Sequence, residues 1–225
     1  MKVRNFWWLI SVGGIFTTAM LALGTPAVAE WYTAFDVGAV IPHGLTNNEG
    51  TGSALGVPAE GTKFNDLSTS PDVAIGARGG YFFQSIEWLG LEADFLASWP
   101  KVKAQALNGT GPLLVSGTVT EGHMRVLVPA LNVMARYPGN KFQPYVGVGP
   151  ALAIIKTFDD GSTSAKVGFN AFVGIRFMLT NQFGLFTEYR YLRTSYESDH
   201  ALTSTLGIKG DYSASHILVG CSRHF

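Results

Sequence analysis

Beyond residue 30 the apolar residues recur at every second position, in eight stretches near 31–41, 72–83, 87–99, 123–137, 142–156, 164–180, 182–196 and 212–225. A period of two is the mark of a β-strand with one apolar face. In the sixth stretch one face carries Ala165, Val167, Phe169, Ala171, Val173, Ile175, Phe177 and Leu179, and the other Lys166, Gly168, Asn170, Phe172, Gly174 and Arg176. The seventh sets Phe183, Leu185, Thr187, Tyr189 and Tyr191 against Gly184, Phe186, Glu188 and Arg190. Several stretches exceed ordinary strand length and suit the roughly 9–11 residues of a tilted strand crossing a bilayer. None supplies the run of about 18 apolar residues that a membrane-crossing helix requires.

The connections alternate in length. Gln84 to Glu87, Pro138 to Lys141 and Thr180 to Gln182 are tight turns, whereas 42–71, 100–122, 157–163 and 197–211 are mostly long and rich in Gly, Ser, Thr, Asn and Asp. An up-and-down meander produces this pattern, with turns at one end and loops at the other. The loop composition predicts mobility.

Face by face, the minority side collects nine charges: Asp36, Arg78, Glu92, Asp94, Arg136, Lys166, Arg176, Glu188 and Arg190. It also collects glycines, among them Gly38, Gly76, Gly80, Gly90, Gly147, Gly149, Gly168, Gly174, Gly184 and Gly220. A water-facing sheet surface has no use for so many glycines, but the inside of a narrow eight-stranded barrel does. Mixed charges in that space predict a packed internal network of ion pairs. On the apolar side Arg125 and Arg223 lie near strand ends, where lipid tolerates them. Two aromatic levels are expected to bracket the apolar band. One comprises Trp31, Tyr81, Phe83, Trp88, Tyr137, Phe142, Tyr145, Phe177, Phe183 and Phe225; the other comprises Trp99, Phe158, Tyr196 and Tyr212. Pro129 removes a ladder donor inside the fourth stretch and predicts a bulge.

Composition then refines the picture. The chain has 225 residues, 47% of them hydrophobic and 14% charged, with no net charge. Disorder is excluded, and the lack of a concentrated basic face argues against nucleic acid. Residues 1–29 read as a cleaved secretory signal: Lys2 and Arg4, an apolar run from Phe6 to Leu23, then Ala27-Val28-Ala29, with the mature domain at 30–225. Removing that segment takes two bases and no acid, so the exported chain has an excess of two acids. The single cysteine, Cys221, has lipid-facing parity and reads as a small hydrophobe.

The whole of 30–225 resembles the small eight-stranded outer-membrane barrels that include the OmpA transmembrane domain, OmpX and the Opa adhesins. Three features carry the resemblance: Phe142-Gln143-Pro144-Tyr145-Val146-Gly147-Val148-Gly149, Thr187-Glu188-Tyr189-Arg190-Tyr191, and the ending on Phe225. The resemblance implies an all-β, eight-stranded antiparallel up-and-down transmembrane β-barrel in the outer membrane. It also implies contact with outer-membrane lipid and lipopolysaccharide, and a last strand read by the barrel-assembly machinery through Gly220 and Phe225. Arg223 replaces the aromatic usual in that signal.

Chemistry is sparse. His43, His123, His200, His216 and His224 are scattered, and no spaced His/Ser/acid set resembles a lipid A-modifying enzyme. Asp159-Asp160-Gly161 reads as a hairpin turn and lacks the further ligands of a calcium loop. The residues predict no catalytic site, metal or cofactor. They predict a monomeric scaffold with structural, adhesive or surface-interaction roles through four outer loops. The alternatives are a lipid A-modifying enzyme, a narrow porin-like channel, and a soluble periplasmic calycin with its apolar face inside.

Overall fold

The computed structural model describes residues 30–54, 57–157, 163–203 and 206–225, without the side chains of 54, 157, 198–203 and 206. The expected signal segment and the Asp159-Asp160-Gly161 turn lie outside the described residues. Every regular element described is a strand. Eight are long: β1 (Glu30–Ala54), β5 (Asp72–Phe83), β6 (Ile86–Ser98), β10 (Gly122–Arg136), β11 (Phe142–Thr157), β12 (Thr163–Met178), β13 (Phe183–Thr203) and β14 (Leu206–His224). Each pairs antiparallel with the next, and β14 pairs back onto β1, making a ring of eight strands.

The parity inferred from the sequence fixes which side chains point out. Phe35, Val37, Leu131, Val133, Val167, Phe169, Val173, Ile217 and Val219 are exposed on the outer surface, while the intervening residues are buried. Cys221 is exposed there as well. Glycines inside the ring make room for rings from neighbouring strands. A Cβ on Gly80 would overlap the Tyr32 ring, and one on Gly147 would overlap Phe172.

Three expectations need correction. First, the segments 42–71 and 100–122 are folded. Six short strands, β2 (Val57–Pro58), β3 (Lys63–Phe64), β4 (Thr69–Ser70), β7 (Lys101–Val102), β8 (Gln105–Thr110) and β9 (Val115–Val119), build a cap on the extended part of β1 and on the start of β10. Gly44, at φ +95, sits in the register shift between Pro42 and Leu45, a conformation that disfavours any side chain. The stretch 197–211 is likewise mostly hairpin, paired out to Thr203 and Leu206.

Second, Pro129 makes no bulge. The β10–β11 ladder omits pairs there and again opposite Pro150, yet keeps one register from Met124 to Arg136. The unbroken β6 pairing on the other side of β10 holds Pro129 in line. Third, Tyr145, Tyr196 and Tyr212 point inward and are buried, so they leave the aromatic levels assigned to them. Tyr145 shares the parity of Gly147 and Gly149, and Tyr196 donates to buried Asn48 at 2.5 Å.

The interior divides into two parts. Toward the loop end it is apolar: Val40, Leu45, Leu96, Val126, Leu192, Tyr212 and Leu218 pack with Phe64, Leu67, Val102 and Leu107 from the cap. Toward the turn end, Tyr32, Phe82, Met134, Tyr145, Phe172 and Phe186 enclose the charged side chains.

Candidate functional site

Eight of the nine sequence-marked charges are buried inside the turn half, where neighbouring strands aim alternate side chains at one axis. Arg78, on β5, reaches three strands. Its Nη2 lies 2.8 Å from Asp36, its Nη1 lies 2.6 Å from Glu188, and Glu92 stands 3.7 Å from the same nitrogen. Arg190, on β13, pairs with Asp94 at 2.7 Å and donates from Nε to Glu188 at 3.0 Å. Tyr32 donates to Glu92 at 2.5 Å and Tyr145 to Glu188 at 2.9 Å. Arg176 closes this layer by stacking on both phenol rings, 4.6 Å from Tyr32 and 5.4 Å from Tyr145. Asn132 extends the network, donating to Asp94 at 2.7 Å and accepting from Asn170 at 2.9 Å. Polar partners in this buried layer offset the desolvation that an isolated charge would suffer.

Two charges lie apart from that lattice. Arg136 sits at the turn-end mouth over the Phe82 ring, and its guanidinium grips both carboxylate oxygens of Glu30. His224 meets the same carboxylate through Nδ1 at 2.6 Å. This cluster ties the start of β1 to β10 and to the end of β14, and parity alone did not reveal it because Glu30 precedes the first alternating stretch. Lys166 is half exposed near the loop end and pairs with Glu197 at 2.7 Å. Gly220 faces Asp36 across the β1–β14 seam, and exposed Phe225 donates its backbone N–H to Trp31 at 2.9 Å.

The turn-end mouth opens into a pocket of about 480 Å³, floored by Arg136, Glu30, His224 and Gln143. As for enzyme chemistry, His216 points inward and Ser215 outward. Ser215 is buried beneath His43 and Tyr189 on the outer face of the ring, 2.8 Å from each, and its contact with His43 crosses the β1–β14 seam, which residue spacing could not show. Among the described residues His43 has no hydrogen bond to a carboxylate, and no three His, Cys, Asp or Glu side chains are grouped to hold a metal.

Comparison with known proteins agrees with this geometry. No curated protein matches the chain. Among solved structures, the outer membrane protein OprG from Pseudomonas aeruginosa superposes with a TM-score of 0.56 at 18% identity, over 88% of this chain and 96% of that one. Neisserial surface protein A aligns with a TM-score of 0.49 at 14% identity, over 88% and 99% of the two chains. The family model for the outer membrane protein beta-barrel domain matches residues 15–225. The chain is therefore an outer-membrane protein belonging to the outer membrane protein beta-barrel domain family.

Proposed function

We propose that residues 30–225 form a closed, monomeric transmembrane barrel, exported by a signal that is cleaved after Ala29, whose work is done by its rigid wall and its loop-end cap. The carrying observation is the outward band: exposed Phe, Val, Leu and Ile around the ring, with the ion-paired charges enclosed behind them. A soluble calycin has the opposite arrangement. The cap, built from β2–β4 and β7–β9, faces the cell exterior and presents the surface for adhesion or for an extracellular ligand. Short turns on the periplasmic side are the rule for such barrels.

The charged lattice of Asp36, Arg78, Glu92, Asp94, Arg176, Glu188 and Arg190 is read as a plug, which disfavours a porin-like role. The seam residues Gly220 and Phe225 are read as the assembly signal, and lipopolysaccharide as the lipid against the outer band. The His43–Ser215–Tyr189 contact, to which no carboxylate is bonded among the described residues, favours a non-enzymatic protein.

Fractionation tests this reading. The protein is expected in the outer membrane and is expected to migrate differently on gels before and after boiling. Recovery as a soluble periplasmic monomer contradicts it. Replacing 57–70 and 102–119 by short turns is expected to abolish surface binding while leaving heat-modifiable migration intact.

A further inference from the structure

The cap leaves a strand edge open. The sheet that runs outward from the wall through β1, β3 and β8 ends on β9, and among the described residues β9 pairs with β8 alone. One row of its backbone N–H and C=O groups therefore faces away from the sheet. Such an edge is a template for another strand, and proteins ordinarily blunt it with charge, proline, a bulge or brevity. β2 and β4 follow that rule: each is two residues long, β2 ends on Pro58, and Pro71 follows β4. β9 does not. It has five residues, its register with β8 has no shift, and Leu114 to Thr120 includes neither a charge nor a proline.

The residues of the strand say what fits against it. Val115-Ser116-Gly117-Thr118-Val119 reads nearly the same in both directions. Laid antiparallel against itself about Gly117, the strand sets Val115 opposite the partner's Val119, Ser116 opposite the partner's Thr118, and Gly117 opposite the partner's Gly117. Directly opposed β-branched pairs and hydroxyl pairs both stabilise antiparallel strands. A patch that complements itself is what a twofold interface between identical chains requires. Leu114 is an independent sign. It is 83% exposed, more than any other large apolar side chain described, and it stands beside this edge instead of on the lipid-facing wall.

We propose that β9 pairs antiparallel with β9 of a second copy of this chain standing in a facing membrane. The twofold axis of such a pair reverses the direction of β9. The reversal carries back through β8 and β3 to β1, because each is antiparallel to the next. The turn ends of the two barrels then point away from each other, as they do on two adjacent cells and not on neighbours in one membrane. Each barrel stays a monomer in its own membrane. The inference rests on the proposed placement of the cap outside the cell, and it names the partner of that adhesive surface. A five-residue edge makes a weak single contact, which many copies on each surface multiply.

The test is the settling of washed cells in buffer, using a non-clumping host with truncated surface polysaccharide, and with heat-modifiable migration confirming the fold of each variant. No atom lies within 4 Å of where a Cβ on Gly117 would stand, so a side chain there leaves the cap intact. Cells bearing the native chain are expected to clump. Cells bearing Gly117→Lys and cells bearing Gly117→Glu are each expected to lose clumping, because like charges then meet directly across the twofold. The two populations mixed are expected to regain it. In a Cys221→Ser background, Ser116→Cys cells mixed with Thr118→Cys cells are expected to yield a disulfide-linked dimer on mild oxidation, since opposed Cα atoms in antiparallel strands lie about 4.5–5.5 Å apart. Native cells that settle no faster than the bare host overturn the proposal. So do charged variants that clump alone, mixed charges that restore nothing, and clumping that needs a component beyond the cells, which would mean a foreign strand on the edge. Labelling of Gly117→Cys on intact cells by an impermeant maleimide reads the placement of the cap separately. Labelled cells whose native counterparts do not clump overturn this inference alone; unlabelled cells overturn the exterior placement with it.

Discussion

The two halves of the ring interior solve the same packing problem by different physics. In the loop half, Leu192, Leu218 and Val40 meet Leu107 and Phe64 from the cap, and burial of apolar surface holds the cap down. In the turn half, Arg78 and Arg190 bind carboxylates from β1, β6 and β13, and each guanidinium cross-links neighbouring strands, with Glu188 shared between the two. The apolar half tolerates changes of shape at modest cost. The charged half is less tolerant, because removing one member leaves buried partners with fewer counter-charges.

The largest effect is therefore expected in the turn half. Arg78→Met leaves Asp36 and Glu188 without their main cation and is expected to destabilise the protein by about 3–5 kcal/mol. The urea midpoint for unfolding from bilayers measures it. Adding Asp36→Asn and Glu188→Gln to that variant is expected to restore part of the loss; no recovery would mean that the guanidinium acts by filling space and not by charge. A smaller effect is expected in the loop half, where Leu192→Ala leaves a cavity under the cap at a cost of roughly 2–4 kcal/mol. Protease sensitivity of 57–70 is expected to rise in that variant and to stay unchanged in Arg78→Met.

The outer wall provides the control between these. Val173→Arg, on the exposed band of β12, is expected to cost about 2–4 kcal/mol in a bilayer and little in a detergent that lets the side chain reach water. The smallest effect belongs to exposed pairs. Lys209→Ala, which loses the 3.5 Å contact with Glu49, is expected to change stability by less than about 1 kcal/mol.

The contrast also explains what could be read from the sequence. Strand parity exposed the turn half, because Arg78, Glu92, Glu188 and Arg190 stand out among glycines at alternate positions. It also named the outer band, since Val167 to Phe177 keep a strict period of two. The cap was hidden. Its strands are as short as two residues, and Phe64, Leu67 and Leu107 are single apolar residues in polar surroundings, too few to show a period. Tyr196 and Tyr212 were misplaced for a related reason: ring strands run on past the membrane level, where an inward tyrosine and a girdle tyrosine have the same composition. The Glu30–Arg136–His224 cluster and the His43–Ser215 contact join residues brought together only when β14 meets β1.

The central claim is that the apolar face of the ring meets lipid and the charged face is enclosed. A nitroxide scan along β12, one cysteine at a time from Ala165 to Phe177 in a Cys221→Ser background and in reconstituted bilayers, tests it most directly. Odd positions such as Val167, Val173 and Ile175 are predicted to collide with oxygen dissolved in lipid and to be shielded from a water-soluble nickel quencher, while Phe172 and Arg176 are shielded from both. Strong quenching of the odd positions by the water-soluble reagent would contradict the account.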